Sequence, residues 1–145
     1  MASWGDVERE APELAARARD FFDAHVHKTL ATLREDGSPR ISGTEVEFRD
    51  GELYIGSMWM AVKALDLRRD GRFALHSGSD DPPGWSGDAK VAGSFVEEPG
   101  PPGERPSHAF RADVTELVVV GLNADRTKLL IDSWHAGRGV RRIER

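Results

Sequence analysis

Cysteine is absent from the 145 residues, so disulfides, thiolate-bound zinc and thiol nucleophiles are excluded together. No apolar run approaches the ~18 residues of a membrane span. The N-terminus carries acids where a secretory leader carries basic residues. A cytoplasmic protein with no membrane segment is therefore expected. Also missing are a G-x-S-x-G nucleophile turn, a Gly-rich dinucleotide fingerprint and any internal repeat. A formal charge of −5 disfavours general nucleic-acid binding. That charge is uneven: residues 126–145 hold six Lys/Arg against Asp132 and Glu144. This basic end reads either as a localised anion partner or as a solvated tail.

The chain length suits one domain, over residues 1–145, large enough to bury a core without metals. Residues 1–25 read as a helical segment, clearest over about 12–24. Pro12 suits a first turn there, and Leu14, Ala18, Phe21, Phe22 and His25 fall on one stripe. The pair His25 and His27 has no acidic or cysteine companion at ligand spacing, so no metal is expected. Lys28 to Arg34 alternates as a strand. A hairpin signal at 35–38, a strand from Pro39 to Phe48 and a second hairpin signal at 49–52 follow. Later strands are read at Arg72–Ser77, Lys90–Glu97, Phe110–Leu122 and Lys128–Trp134, with the Leu117–Val120 run fully buried. A loop with Trp85 at its tip and a Pro-rich loop (98–108) separate them, and residues 136–145 form the basic tail. The expectation is a mainly β (α+β) fold, an antiparallel barrel of about seven strands with flanking helices.

The stretch L-Y-I-G-S-M-W-M-A-V-K-A-L-D-L-R-R-D-G-R-F-A-L-H, Leu53 to His76, organises the rest. It reads as a short strand to Gly56, a tight entry at Gly56-Ser57, a helix from about Met60 to Arg69, and another strand. A helix start offers unpaired N–H groups and the positive end of the macrodipole, a natural seat for phosphate. Ser57 would cap that end or donate to the anion. Lys63 leans back toward the same place, because long helical side chains point toward the N-terminus. The competing reading is an amphipathic helix with a solvated lysine.

In their order and separation, three segments resemble the pyridoxamine-phosphate-oxidase-like family of FMN- and deazaflavin-binding oxidoreductases. They are A-T-L-R-E-D-G-S-P-R-I-S, the Leu53 stretch and I-D-S-W-H-A-G-R-G, and the resemblance spans about residues 26–142. It implies a six- to seven-stranded Greek-key split barrel of the FMN-binding type. It also implies a homodimer with the cofactor in a groove between subunits. By position, Arg40 and Lys63 match the family's phosphate-binding cations, and Ser57, with Met58 beside it, matches the hydroxyl residue at the third strand's end. Trp134, with Gly137 and Arg138 behind it, matches the C-terminal segment that approaches the cofactor. His76 falls near the family's ring site, as hydrogen-bond partner or proton donor to a flavin, or as a structural histidine; His135 has the same two readings. Trp59 and Trp134 would stack on the ring or serve as core anchors.

Three departures narrow the reading. Val62 stands where the family often has arginine before the helix lysine. The oxidase's C-terminal Arg-x-His is not reproduced, which argues against pyridoxamine phosphate as substrate. The Pro-rich loop replaces a helix. No catalytic residue is assigned, since a flavin brings its own hydride chemistry; Glu45 and Glu47 read as solvated or salt-bridged. The expected activity is FMN-dependent hydride transfer to or from a small conjugated molecule. A deazaflavin-dependent reductase is the alternative, favoured by an Ala-, Arg- and Gly-rich composition like that of high-GC bacteria, with Arg138–Arg142 able to meet a polyglutamyl tail. A non-catalytic barrel binding a cofactor, tetrapyrrole or haem, and a regulatory dimer without cofactor, are the other classes considered.

Overall fold

One antiparallel sheet organises the computed structural model, which describes residues 1–145 except 101 and 104. Three helices and nine strands are present among the described residues. Two helices come first, α1 (Trp4–Glu10) and α2 (Pro12–Ala24). Ser3 and Asp6 close a reciprocal capping box on α1. Ala11 leaves helical geometry and Pro12 opens α2, so the helical segment is two helices rather than one. Leu14, Ala18 and Phe22 of the sequence stripe are buried, while Phe21 packs at the core's edge and His25 caps the end.

The strands are β1 (Lys28–Leu33), β2 (Pro39–Thr44), β3 (Glu47–Arg49) and β4 (Glu52–Met58). Helix α3 (Val62–Arg69) then leads to β5 (Arg72–His76), β6 (Gly87–Glu98), β7 (Ser107–Leu122), β8 (Leu129–His135) and β9 (Gly139–Glu144). Spatial order is β2-β1-β5-β6-β7-β4-β3, with β8 on the other half of β7 and β9 beyond it. The 16-residue β7 pairs with β4 through its first residues and with β8 through its last, so one strand serves both halves of the barrel. Beside it β6 bulges between Ala92 and Gly93, where a side chain on Gly93 would strike Asp113 O. The 49–52 hairpin forms as read, with Asp50 and Gly51 both at positive φ as a tight turn of that kind demands.

Two expectations are corrected. The strand from Pro39 to Phe48 breaks at Glu45-Val46 into β2 and β3, because β2 follows β1 and β3 follows β4. The basic tail is not free: β9 pairs with β8 along its length, and the count rises from seven strands to nine. The Leu117–Val120 run is buried at Leu117 and Val119, while Val118 and Val120 are only half-buried. Residues 101 and 104 of the Pro-rich loop lie outside the described residues.

Asp132, buried in β8, fastens the β8–β9 hairpin to α2. Arg142 holds its two oxygens at 2.6 and 2.9 Å, and Arg17 donates at 2.7 Å. These bonds, Arg142 foremost, hold the carboxyl below its ordinary value against the opposing effect of burial. Both arginines are partly exposed, so Asp132→Ala is expected to cost about 2 kcal/mol rather than the full value of a buried pair. Urea unfolding checks this, and an unchanged midpoint would mean the clasp is idle.

Candidate functional site

The sheet order leaves the barrel open between its edges, and that opening holds the candidate site. Strand β3 covers β4 only as far as Tyr54, so among the described residues Ile55 to Met58 have β7 on one side and no strand on the other. The far edge, β2, ends opposite them. A recess of about 800 Å³ lies in this split. Its walls are Gly43, Thr44 and Glu45 from the β2 end, Gly56 to Trp59 from β4, Lys63 from α3, and His27, Arg105, Pro106 and Ser107. An adjoining recess of about 670 Å³ shares Glu45, Gly56, Ser57 and Ser107 with it and continues past Tyr54 and Glu98. Both lie within the ~300–1,000 Å³ range of small-molecule sites.

Helix α3 presents its first turn to the larger recess. Ala61 is the N-cap, and no side chain bonds the first N–H groups of the helix. This corrects the expected cap: β4 runs on through Met58 because β7 pairs with it, and the Ser57 hydroxyl donates to Met58 O at 3.1 Å. The chain turns into the helix through Met60, at φ 59°. Lys63 donates to Gly43 O at 2.9 Å and has no carboxylate partner among the described residues. Burial lowers its pKa from the ordinary lysine value, the signature of a cation short of solvent and counter-charge. Ser57, Met58 and Lys63 thus meet in one place.

The other residues singled out from the sequence lie elsewhere. Arg40 is on β2, beside α3, with Nε bonded to Asp66 at 2.8 Å. Asp66, 2 % exposed, also accepts from Thr32 at 2.8 Å and Arg69 at 2.9 Å. Burial would raise this carboxyl, but bonds from Arg40, Thr32 and Arg69 together hold it below its ordinary value. One turn apart, Lys63 and Asp66 therefore fasten α3 to β2. Trp134, at 1 % exposed, is a core residue and turns no face to the recess. His76 ends β5, its Nδ1 against Ser77 O and its Nε2 3.7 Å from Asp88. Arg138 folds back on Ser133 in the β8–β9 turn, and His135 faces Glu116. Arg142 is held by Asp132, so the C-terminal cations do not line the recess of their own chain.

His108 is the residue that sequence reading missed. Buried on β7 opposite Ser57, it bonds the Met60 N–H and Glu97, while Trp59 stacks on its ring. The only local signal was position: His108, Phe110 and Ala112 alternate onto the inner face of β7. Arg105 and Ser107 were also unforeseen, and His27 was weighed only as half of a metal pair, since a recess assembled from distant segments leaves no spacing pattern.

No protein-family profile matches the sequence, and no curated protein does. Solved structures do. PhzG from Burkholderia lata 383, in complex with tetrahydrophenazine-1-carboxylic acid, is 12% identical over 98% of this chain and 95% of its own, with a TM-score of 0.70. A pyridoxamine 5'-phosphate oxidase-related, FMN-binding protein from Nostoc punctiforme PCC 73102 is 12% identical over 100% and 97%, TM-score 0.64. An F420 reductase is 17% identical over 68% and 94%, TM-score 0.55. At such identities the likeness concerns the backbone, and it shows that the chain has the pyridoxamine 5'-phosphate oxidase-like split-barrel fold.

Proposed function

We propose that this protein is a flavin-type oxidoreductase that binds FMN in the split of the barrel. The observation that carries the reading is Lys63: a half-buried cation without a carboxylate partner among the described residues, set on the recess wall beside an uncapped helix start. A phosphate monoester bears about −1.5 to −2 charges and supplies the acceptors this corner lacks. Lys63, the first N–H groups of α3 and the Ser57 hydroxyl would hold it, with Arg105 as a further cation at the wall. Met58 and Trp59 line the path along which a ring would lie. Arg40 enters less directly, by holding Asp66 and so the helix.

A bound flavin would supply the hydride chemistry. The chain's part is to neutralise the phosphate, orient the ring along β4 and exclude water from one face. Among the described residues lining the larger recess no histidine is bonded to a carboxylate, and the role proposed for the chain is positioning. Met58, Trp59, Met60 and Val62 stand exposed around the mouth, with Ile41 on β2 exposed as well. So much apolar surface beside a cofactor groove fits a second copy of the chain closing over it.

A deazaflavin is the second reading, since one neighbour in fold is an F420 reductase. Within one chain the extra cation for a polyglutamyl tail is Arg105, not the Arg138–Arg142 cluster. Titrating dialysed protein with FMN and, separately, with the deazaflavin coenzyme tests both. The expected result is saturable binding of one of them at one per chain, seen in cofactor fluorescence and calorimetry. Binding of neither would overturn the reading.

A further inference from the structure

His108 has a feature that a filler of the core does not need. A backbone N–H can only donate, so the 3.0 Å contact from Met60 N–H requires an unprotonated Nε2. The ring hydrogen therefore sits on Nδ1, which meets Glu97 Oε1 at 2.6 Å. Arg68 of α3 grips both oxygens of Glu97, at 2.6 and 3.0 Å. Bonds from Arg68 and then His108 bring that carboxyl down to about 2, so Glu97 stays an anion at any working pH. On the ring's face, Trp59 lies stacked at 4.6 Å between centroids and 7° between planes. The segment so held is the turn through Met60, whose φ of 59° is rare for a residue with a side chain and needs something to hold it.

We propose that His108, as the neutral Nδ1–H tautomer, is the positioning residue of the anion seat. Its Nε2 fixes the Met58–Ala61 turn, and with it the start of α3 and Lys63. The proposal rests on the functional reading above and adds to it the group that holds the seat in place. Without an acceptor at this position the Met60 N–H would lose its side-chain partner on β7. Glu97 from β6 and Arg68 from α3 in turn hold the ring's other nitrogen. The ring itself is not proposed to touch the ligand.

The variants His108→Gln and His108→Phe separate positioning from packing. Glutamine keeps an oxygen near the Nε2 position; phenylalanine keeps only the volume. FMN affinity is expected within about threefold of wild type in His108→Gln, and at least about tenfold weaker in His108→Phe. Equal affinity in all three proteins, or equal loss in both variants, would overturn the proposal. Trp59 fluorescence without ligand supplies a readout that does not depend on the functional reading. It is expected to match wild type in His108→Gln and to change in His108→Phe, with Trp59→Phe identifying the signal. If wild type binds no flavin, the function falls but this comparison still decides whether His108 governs the turn: a difference between the variants supports it, and identical spectra refute it. Should His108→Phe fail to fold, His108→Asn, too short to reach the Met60 N–H, takes its place with the same expected loss.

Discussion

Asp66→Ala is expected to lower stability by about 3 kcal/mol, the low end of the range for breaking a buried ion pair. Its side chain is 3 % exposed, while Arg40 and Arg69 keep part of their surface in water, which softens the penalty of leaving them unpaired. For a chain of this size that corresponds to a fall of roughly 6–12 °C in Tm. Asp66→Asn keeps the Thr32 contact but not the charge, and should fall between. The sign of the pH dependence follows from the depressed carboxyl: its stabilisation is full above the unfolded value of about 4 and is lost as pH falls through the folded value. Acid unfolding of Asp66→Asn should therefore be flatter than wild type below about pH 4. Paired with Arg40→Ala, the double variant measures whether the two act as one clasp, with a coupling of about 0.5–3 kcal/mol expected for groups in direct contact. Additive losses by urea unfolding would mean that Arg40 holds the helix through nothing more than its own chain.

This clasp also shows where a residue's type was readable but its job was not. Arg40 stands on the second strand, and the resemblance to the split-barrel family is what implied a phosphate partner for it. Asp66 supplies a counter-charge from 26 residues away, and no local spacing announces it. Arg142 and Asp132 repeat the lesson on the other side of the molecule. A run of arginines after a Gly-rich turn looks like a solvated tail, yet β8 offers it an open edge and Asp132 a buried acceptor. The pairing partner, not the strand's own residues, made β9.

Where periodicity or turn chemistry dictates local structure, the reading transferred directly. Strand β1, the 49–52 turn, α3 and the β5–β6–β7 succession follow from alternation, from Asp-Gly and from helical spacing. The helix entry did not. Ser57 before an apolar helix suggests a cap, but β7 continues the ladder through Met58 and pulls the serine into the sheet. The chain then turns at Met60, closed by the Ala61 N–H on Met58 O and held by a tertiary partner, His108. The residues that build the recess wall from β2, β4 and the loop before β7 come together because the barrel fails to close, a property of strand order rather than of any segment.

Lys63→Ala is expected to weaken FMN binding about 12- to 150-fold, the equivalent of losing one hydrogen bond to a charged group, about 1.5–3 kcal/mol. Folding should scarcely notice. The variant loses the bond to Gly43 O but also removes a cation that burial has left short of solvent, and these effects oppose one another. A large change in binding with a small change in the urea midpoint is thus the pattern that separates a ligand residue from a brace. The pH dependence has a definite sign as well. Binding requires the charged ammonium, and burial has moved its pKa below the ordinary value of about 10.4, so affinity should decline as pH rises through that lowered value. Lys63→Arg keeps its charge throughout, so its alkaline limb should vanish even if its geometry binds less tightly. Calorimetry from pH 7 to 10 on the three proteins reads all of this. Equal affinity in wild type and Lys63→Ala would remove the lysine from the site and, with it, the strongest reason for seating a phosphate in the split of this barrel.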